Sequence, residues 1–278
     1  MSIEMKPITS SESESKERRL RQLISSFDSV IVAFSGGADS AYLAYVASGE
    51  LGDRALAVTG DSASYPSFQR ELAEKLVASF GIKHEIIFTE EFQDSIYTNN
   101  PPNRCYYCKA ELYSKLNQLA KERGFAAVCD GTNADDEGDY RPGGQAAREH
   151  GVRSPLAECR IGKAEIRELS RLASLPTWNE PASACLSSRI PYGKVVTIEK
   201  LSMVDKAENA LKDLGFRQIR VRHHDEVARI EIAADELARA FDPDITSRIS
   251  RALKAIGFRY VTVDLDGYRM GSLNESLK

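Results

Sequence analysis

Residues Val30 to Ser40 read VIVAFSGGADS, and this stretch decides the fold. Val30, Ile31, Val32 and Phe34 make a short apolar, largely β-branched run of the kind that forms a buried strand. The run breaks at Ser35-Gly36-Gly37. Asp39-Ser40-Ala41-Tyr42-Leu43-Ala44-Tyr45-Val46 then has the composition of a helix. A strand, a two-glycine turn and a helix form an anion cradle, because glycine lets the backbone approach closely and the helix start offers unbonded N–H groups. Ser35 and Ser40 add hydroxyl donors. No lysine follows Gly37, so this is not the Gly-Lys-Ser/Thr loop of kinase-type nucleotide sites.

Outward from the cradle the pattern repeats. A polar helix over Ser15 to Phe27 leads into the first strand, and further strands are expected at Ala55 to Thr59, Lys83 to Phe88 and Ala126 to Asp130. Helices are expected near Ser67 to Phe80 and Cys105 to Arg123. Such alternation implies an α/β fold, a parallel sheet with helices on both faces. Ligands of these sheets bind beyond the carboxyl ends of the strands. The cradle, Thr59-Gly60-Asp61-Ser62 and Asp130-Gly131-Thr132-Asn133 all fall there. Asp130 to Pro155 is rich in Gly, Asp and Arg and reads as a long functional loop. A helix follows at Gly162 to Ala173, then an irregular, proline-bracketed segment containing Cys185.

From Val195 the composition changes. Leu211-Lys212-Asp213-Leu214-Gly215-Phe216-Arg217 is echoed by Leu253-Lys254-Ala255-Ile256-Gly257-Phe258-Arg259, each copy a helix, a glycine stop and an alternating strand. This predicts a smaller C-terminal α+β domain of two related halves. The expected organisation is a disordered tail over 1–15, a nucleotide-binding domain over 16–194, and an α+β domain for substrate binding or oligomerisation over 195–278.

Composition narrows the classes. The 278 residues are 42% hydrophobic, enough for an ordinary core, and their net charge of −4 gives no global attraction to nucleic acid or acidic membranes. No apolar run has membrane-spanning length and no signal-peptide core is visible, so a cytoplasmic protein without membrane or nucleic-acid partners is expected. Five cysteines, an odd number without a secretion signal, argue for reduced thiols rather than a disulfide framework.

The candidate chemistry follows. Asp130 and the Asp-rich turn after it suit contact with ATP and Mg²⁺, with Asp39 also near the phosphates; taken alone, the turn reads better as an ordinary Asp/Asn turn. Cys105-Tyr106-Tyr107-Cys108 is a C-x-x-C at a helix start. It suits a metal, a cluster or a redox pair, or is incidental to the helix. A second C-x-x-C is missing, so structural zinc is poorly supported. With Cys185 as a third thiolate, one iron of a 4Fe-4S cluster would lack a protein ligand and remain open to sulfide. Cys129 belongs to an apolar strand and to packing. Arg220 and Arg222 share one strand face and suit bidentate phosphate binding, although a solvated face explains them as readily.

Together these pieces resemble the LarE family of ATP-dependent sulfur transferases, within the PP-loop ATP pyrophosphatase superfamily. The residues that carry the resemblance are SGGADS (35–40), YYCK (106–109), DGTNADD (130–136), DYRPG (139–143), SSRIPYG (187–193), RVR (220–222), ARIE (228–231) and GFRYVTVDLDGYRMGSLN (257–274). The resemblance implies that ATP, held by Ala33, Ser35, Gly36, Gly37, Asp39, Ser40, Thr59, Asp130 and Gly131, adenylates a carboxylate of a pyridinium biscarboxylic acid mononucleotide. Pyrophosphate leaves, sulfur displaces AMP, and a thiocarboxylate of the nickel-pincer cofactor pathway results. It further implies Arg220 and Arg222 at the phosphate of this small nucleotide substrate, Ser188 and Arg189 at the reaction centre, and Glu208 and Glu231 nearby.

The family has two branches. One sacrifices its own cysteine, at the position of Ala184 here. In the other, three cysteines matching Cys105, Cys108 and Cys185 hold a 4Fe-4S cluster fed by a sulfide source. This chain matches the second, and the family suggests a homo-oligomer. Two other readings are a PP-loop tRNA thiolase and a regulatory module that binds ATP without chemistry.

Overall fold

The apolar run at Val30–Ala33 forms a strand, β1, with all four residues buried, because helices cover both of its faces. A computed structural model describes residues 10–136, 142–181, 183–269 and 271–273. Packing divides the chain into two compact units: Met1–Asp61, Gln69–Thr89 and Cys105–Ala182 form the first, and Ser62–Phe68, Glu90–Arg104 and Ser183–Lys278 the second.

The first unit begins with α1 (Ser10–Ser25), β1, α2 (Ala38–Leu51) and β2 (Ala55–Asp61). It continues through α3 (Ser67–Phe80), β3 (His84–Phe88), α4 (Arg104–Arg123), β4 (Ala127–Cys129), α5 (Pro142–Glu149) and α6 (Lys163–Leu172). The strands form a parallel sheet in the order β3-β2-β1-β4. The two-residue period of β1 sorts its side chains into two cores. Val30, Val32 and Phe34 pack with Leu20, Ile24 and the apolar face of α2. Ile31 and Ala33 pack on the other side with Tyr113, Leu116 and Ala120 of α4 and with Ala146 and Ala147 of α5. The expected α/β sheet with helices on both faces is present.

The second unit carries α7 (Ile198–Asp213), β5 (Ile219–His224), β6 (Val227–Ile232), α8 (Pro243–Ile256) and β7 (Tyr260–Val263). Its sheet runs β5-β6-β7, with β5 antiparallel and β7 parallel to β6. The internal repeat is structural. Leu211 and Leu253, and likewise Phe216 and Phe258, enter one core from the two copies. Gly215 and Gly257 end the two helices at φ +86° and +124°, a region where a side chain is strained.

Three stretches that the sequence assigns to the nucleotide domain, 62–68, 90–104 and 183–194, pack within the second unit. Tyr97 and Ser187 join their hydroxyls at 2.7 Å, Asn100 Nδ2 donates to the carbonyls of Ile190 and Pro191, and Asn209 Nδ2 donates to Ser67 Oγ at 2.7 Å.

Two expectations need correction. The stretch 130–155 is not one long loop, because Pro142–Glu149 is helical. Proline suits a first helical turn, and Gln145-Ala146-Ala147-Arg148-Glu149 are good helix formers that bury two alanines. The first helix also starts at Ser10, inside the expected tail. Of the quoted motifs, residues 139–141, 270 and 274 lie outside the described residues. Among the described residues no helix is long and apolar enough to cross a membrane.

Gly257→Ala is expected to lower stability by about 1–3 kcal/mol, since its φ is left-handed. Gly49→Ala, inside α2 where a methyl group meets nothing closer than Arg21 at 3.9 Å, is expected to raise it by about 0.5–1 kcal/mol. Urea unfolding of both variants reads the two shifts, and shifts of the same sign would contradict the backbone account.

Candidate active site

The cradle stands where the sequence places it. Gly36 takes φ +70°, and Gly37 precedes α2 without a side-chain cap, which leaves the first N–H groups of a fourteen-residue helix open to an anion. Ser40 Oγ accepts from Ser35 N–H at 3.2 Å, lies 3.1 Å from Ser35 Oγ and donates to the Gly37 carbonyl. Gln69, which sequence reasoning missed, donates to the Ser35 carbonyl at 2.6 Å. Thr59 braces the strand ends, its hydroxyl donating to the Phe34 carbonyl and lying 2.8 Å from His84 Nε2. Ala33 is buried inside β1.

The end of β4 closes on the same helix start. A Cβ on Gly131 would lie 2.8 Å from the Ser40 nitrogen, so only glycine permits this approach. Asp130 fixes Gly131 in place. Its carboxylate accepts from Tyr113 Oη (2.9 Å), the Thr132 N–H and hydroxyl (3.1 and 2.9 Å), and Ser154 Oγ (2.8 Å). Tyr113 and Ser154 carry no local sequence signal for this role. Asn133 Nδ2 donates to Asp39 Oδ2 at 3.0 Å. Burial, and then the like charge of Asp136, hold the Asp39 carboxyl above its usual range despite Lys163 nearby; Lys163 Nζ pairs with Asp136 Oδ1 at 3.0 Å.

Cys105 and Cys108 lie in the first turn of α4, the former exposed and the latter half-buried, while Cys185 of the second unit is half-buried. None of the five cysteines is in a disulfide. Cys129 and Cys159 are core residues, and burial pushes the Cys129 thiol up to about 12. Cys105 and Cys108 belong to one unit and Cys185 to the other. Among the described residues no three His, Cys, Asp or Glu side chains are grouped to hold a metal ion.

The second unit gathers the remaining candidates around Cys185. Arg189 is fully buried and forms a two-point ion pair with Glu208, Nε and Nη2 donating at 2.8 and 3.0 Å. Its Nη1 donates to the Ala184 and Cys185 carbonyls and to Ser188 Oγ. Ser188 Oγ donates to the Cys185 carbonyl at 2.8 Å. Arg222 grips Glu231 through Nε and Nη2 at 2.9 Å each, and its Nη1 donates to the Ser188 carbonyl. Arg229 also reaches Glu231. Arg220 lies over the Tyr268 ring at 5.1 Å. Burial, with Arg189 and Arg222 close by, pulls the Arg220 guanidinium down to about 10. Tyr268, and Ser272 bonded to Arg222 at 2.7 Å, lie in the 257–274 run, to which the sequence assigns no individual roles.

Burial alone would push Glu208 up, but Arg189 holds it below the ordinary carboxylate range. Its contribution to stability is therefore present above the unfolded carboxylate value near 4.5 and is lost as pH falls through the lower folded value. Glu208→Gln is expected to cost about 3–5 kcal/mol at neutral pH by stranding a buried guanidinium, and Arg189→Met with Glu208→Leu to recover most of it. Denaturant unfolding reads both, and a neutral single variant would contradict the pairing.

No protein-family model matches the chain. It is 45% identical over 264 residues to an uncharacterized protein of Synechocystis sp., covering 95% of this chain and 98% of that one. It is 39% identical over 264 residues to the pyridinium-3,5-bisthiocarboxylic acid mononucleotide synthase of Lactiplantibacillus plantarum, covering 94% and 95%. A shorter match, 30% over 125 residues, covers 43% of this chain and 39% of the tRNA-5-methyluridine(54) 2-sulfurtransferase of Pyrococcus horikoshii. With that identity to the bacterial synthase over nearly the full length of both chains, and with a glycine cradle at the end of β1, this protein belongs to the LarE family of sulfur transferases.

Proposed function

We propose that this chain adenylates the carboxylates of pyridinium-3,5-biscarboxylic acid mononucleotide with ATP and converts them to thiocarboxylates, a step of nickel-pincer nucleotide synthesis. The observation that carries the reading is the cluster of buried guanidinium groups in the second unit. Among the described residues, Arg189, Arg220 and Arg222 are buried together with Glu208 and Glu231, and burial and the close guanidinium groups pull Arg220 down to about 10. A guanidinium whose proton is loosened by burial and by like charges gains from a phosphate, and the proposed substrate carries one. The match to the Lactiplantibacillus synthase over both lengths supports the substrate class, whereas the Pyrococcus match covers too little of either chain to favour RNA.

The residues divide the work as follows. Ser35, Gly36, Gly37 and Ser40 bind the β,γ-phosphates and stabilise pyrophosphate as it leaves. Asp130 holds Gly131 against the helix start, and Asn133 orients Asp39. Arg220 and Arg222 bind the phosphate of the mononucleotide. Arg189, Ser188 and the Glu208 carboxylate hold the backbone of Ala184 and Cys185.

Mg²⁺ fits this donor set, since Mg²⁺ takes one or two carboxylates and completes its shell with phosphates and water. Asp39, raised by burial and then by the neighbouring Asp136 charge, would hold it, and it would neutralise the phosphates. A 4Fe-4S cluster fits the donors in kind, as three cysteines outside disulfides with two of them one helical turn apart. Cys105, Cys108 and Cys185 would hold it, and it would supply sulfide. The same reading takes the protein as cytoplasmic and homo-oligomeric.

The test is product analysis with ATP, the biscarboxylic mononucleotide and sulfide. Pyrophosphate, AMP and a thiocarboxylate are expected; orthophosphate with ADP, or nucleotide binding without turnover, would overturn the reading. Arg222→Gln is expected to raise the KM for the mononucleotide about ten- to a hundredfold, the worth of one charge-assisted hydrogen bond, with the KM for ATP unchanged.

A further inference from the structure

In the second unit a buried carboxylate ends a line of hydroxyls that the roles above leave unused. Glu91 is 3% exposed, and its Oε1 accepts from Ser64 Oγ at 3.1 Å. Ser64 Oγ lies 2.8 Å from Ser62 Oγ, and Ser62 Oγ accepts the Ser64 N–H at 3.1 Å. An ionised carboxylate only accepts hydrogen bonds, so the Ser64 proton points to Glu91 and Ser62 donates to Ser64. The line therefore has a direction.

It also has an inlet and an end. Ser62 is partly exposed and directly follows Asp61, the last residue of β2, whereas Ser64 is 5% exposed. Glu91 follows β3 in the chain. The Ser64 carbonyl accepts the Leu186 N–H at 2.8 Å, which fastens the line beside Cys185. Glu91 Oε2 is buried and has no hydrogen-bond partner among the described residues, and no cation pairs with Glu91 among them. Asp130 is the opposite case, a carboxylate saturated by four donors. Glu91 thus keeps one buried carboxylate oxygen with no donor among the described residues, where an unmade hydrogen bond is costly.

We propose that Ser62, Ser64 and Glu91 form a relay that takes up the proton released when sulfur replaces the adenylate, an inference that rests on the function proposed above. A hydrosulfide attacks the acyl carbon of the adenylate. The C–S bond forms, and the C–O bond to AMP breaks with its electron pair leaving on the AMP phosphate. The S–H proton passes to Ser62 Oγ as Ser62 hands its own to Ser64 and Ser64 hands its own to Glu91 Oε1. The products are a thiocarboxylate anion, AMP and a protonated Glu91, which later returns the proton to water. No oxidant or reductant enters. Glu91 acts through the two serines and is a positioning residue; Ser62 is the group that meets the sulfur proton.

The test separates the two half-reactions, with sodium sulfide as the sulfur source. Glu91→Gln is expected to slow thiocarboxylate formation about a hundredfold, the usual worth of a placed proton acceptor, while ATP–pyrophosphate exchange and the KM for ATP hold. Glu91→Asp is expected to recover part of the loss. Ser62→Ala removes a partly exposed hydroxyl and gives the same split should Glu91→Gln fail to fold. Sulfur transfer at the wild-type rate in Ser62→Ala and in folded Glu91→Gln would overturn the relay, as would equal losses in both half-reactions. Wild-type protein that makes no pyrophosphate with substrate would overturn the proposed function itself, and the relay with it.

Discussion

A guanidinium with no exposed surface has to be paired, and in this protein that requirement shapes the neighbourhood of Cys185. Arg189 meets Glu208 along one edge of its fork. That geometry turns Nη1 toward the backbone carbonyls of Ala184 and Cys185. Glu208 in turn accepts the Val221 N–H of β5 at 3.0 Å, so one carboxylate links helix α7, strand β5 and the cysteine segment. Such a pair adds little net stability over an apolar substitute, but losing either partner is costly. Its yield is position: residues 184–185 are held by a charge pair and not left to a flexible loop.

The first unit obeys a steric counterpart of this rule. The glycine turn leaves the start of α2 open, and the end of β4 closes on it without a side chain. Gly131 permits that approach, and the four donors on Asp130 keep the turn from drifting. Each unit thus presents a polar site built on rigid strands and helices, which is how small displacements at the reacting atoms are avoided.

Much of this was legible in the sequence. The β-branched run ending in Ser35-Gly36-Gly37 announced β1 and the cradle, and the period of Ser67 to Phe80 located α3 with its observed bounds. The Leu-x-x-x-Gly-Phe echo announced the C-terminal sheet, since both phenylalanines reach one core. What stayed hidden depends on non-local burial. Pro142–Glu149 is short and rich in glycine, and its helix becomes evident only where Ala146 and Ala147 find α4. Nothing in the local sequence of Tyr113, Ser154 or Glu91 marks a buried hydrogen-bond partner far along the chain. The grouping of 62–68 and 90–104 with the C-terminal unit is likewise set by contacts without a sequence period.

The central claim is the proposal that this chain adenylates the mononucleotide's carboxylates and receives the incoming sulfur through Cys105, Cys108 and Cys185. The most direct measurement is a crystal structure of anaerobically purified protein with bound nucleotide, collected at the iron edge. The account predicts an iron signal bonded to the sulfurs of all three cysteines. Three sulfurs lying far apart, with no iron and with residue 185 converted to dehydroalanine after turnover, would contradict it.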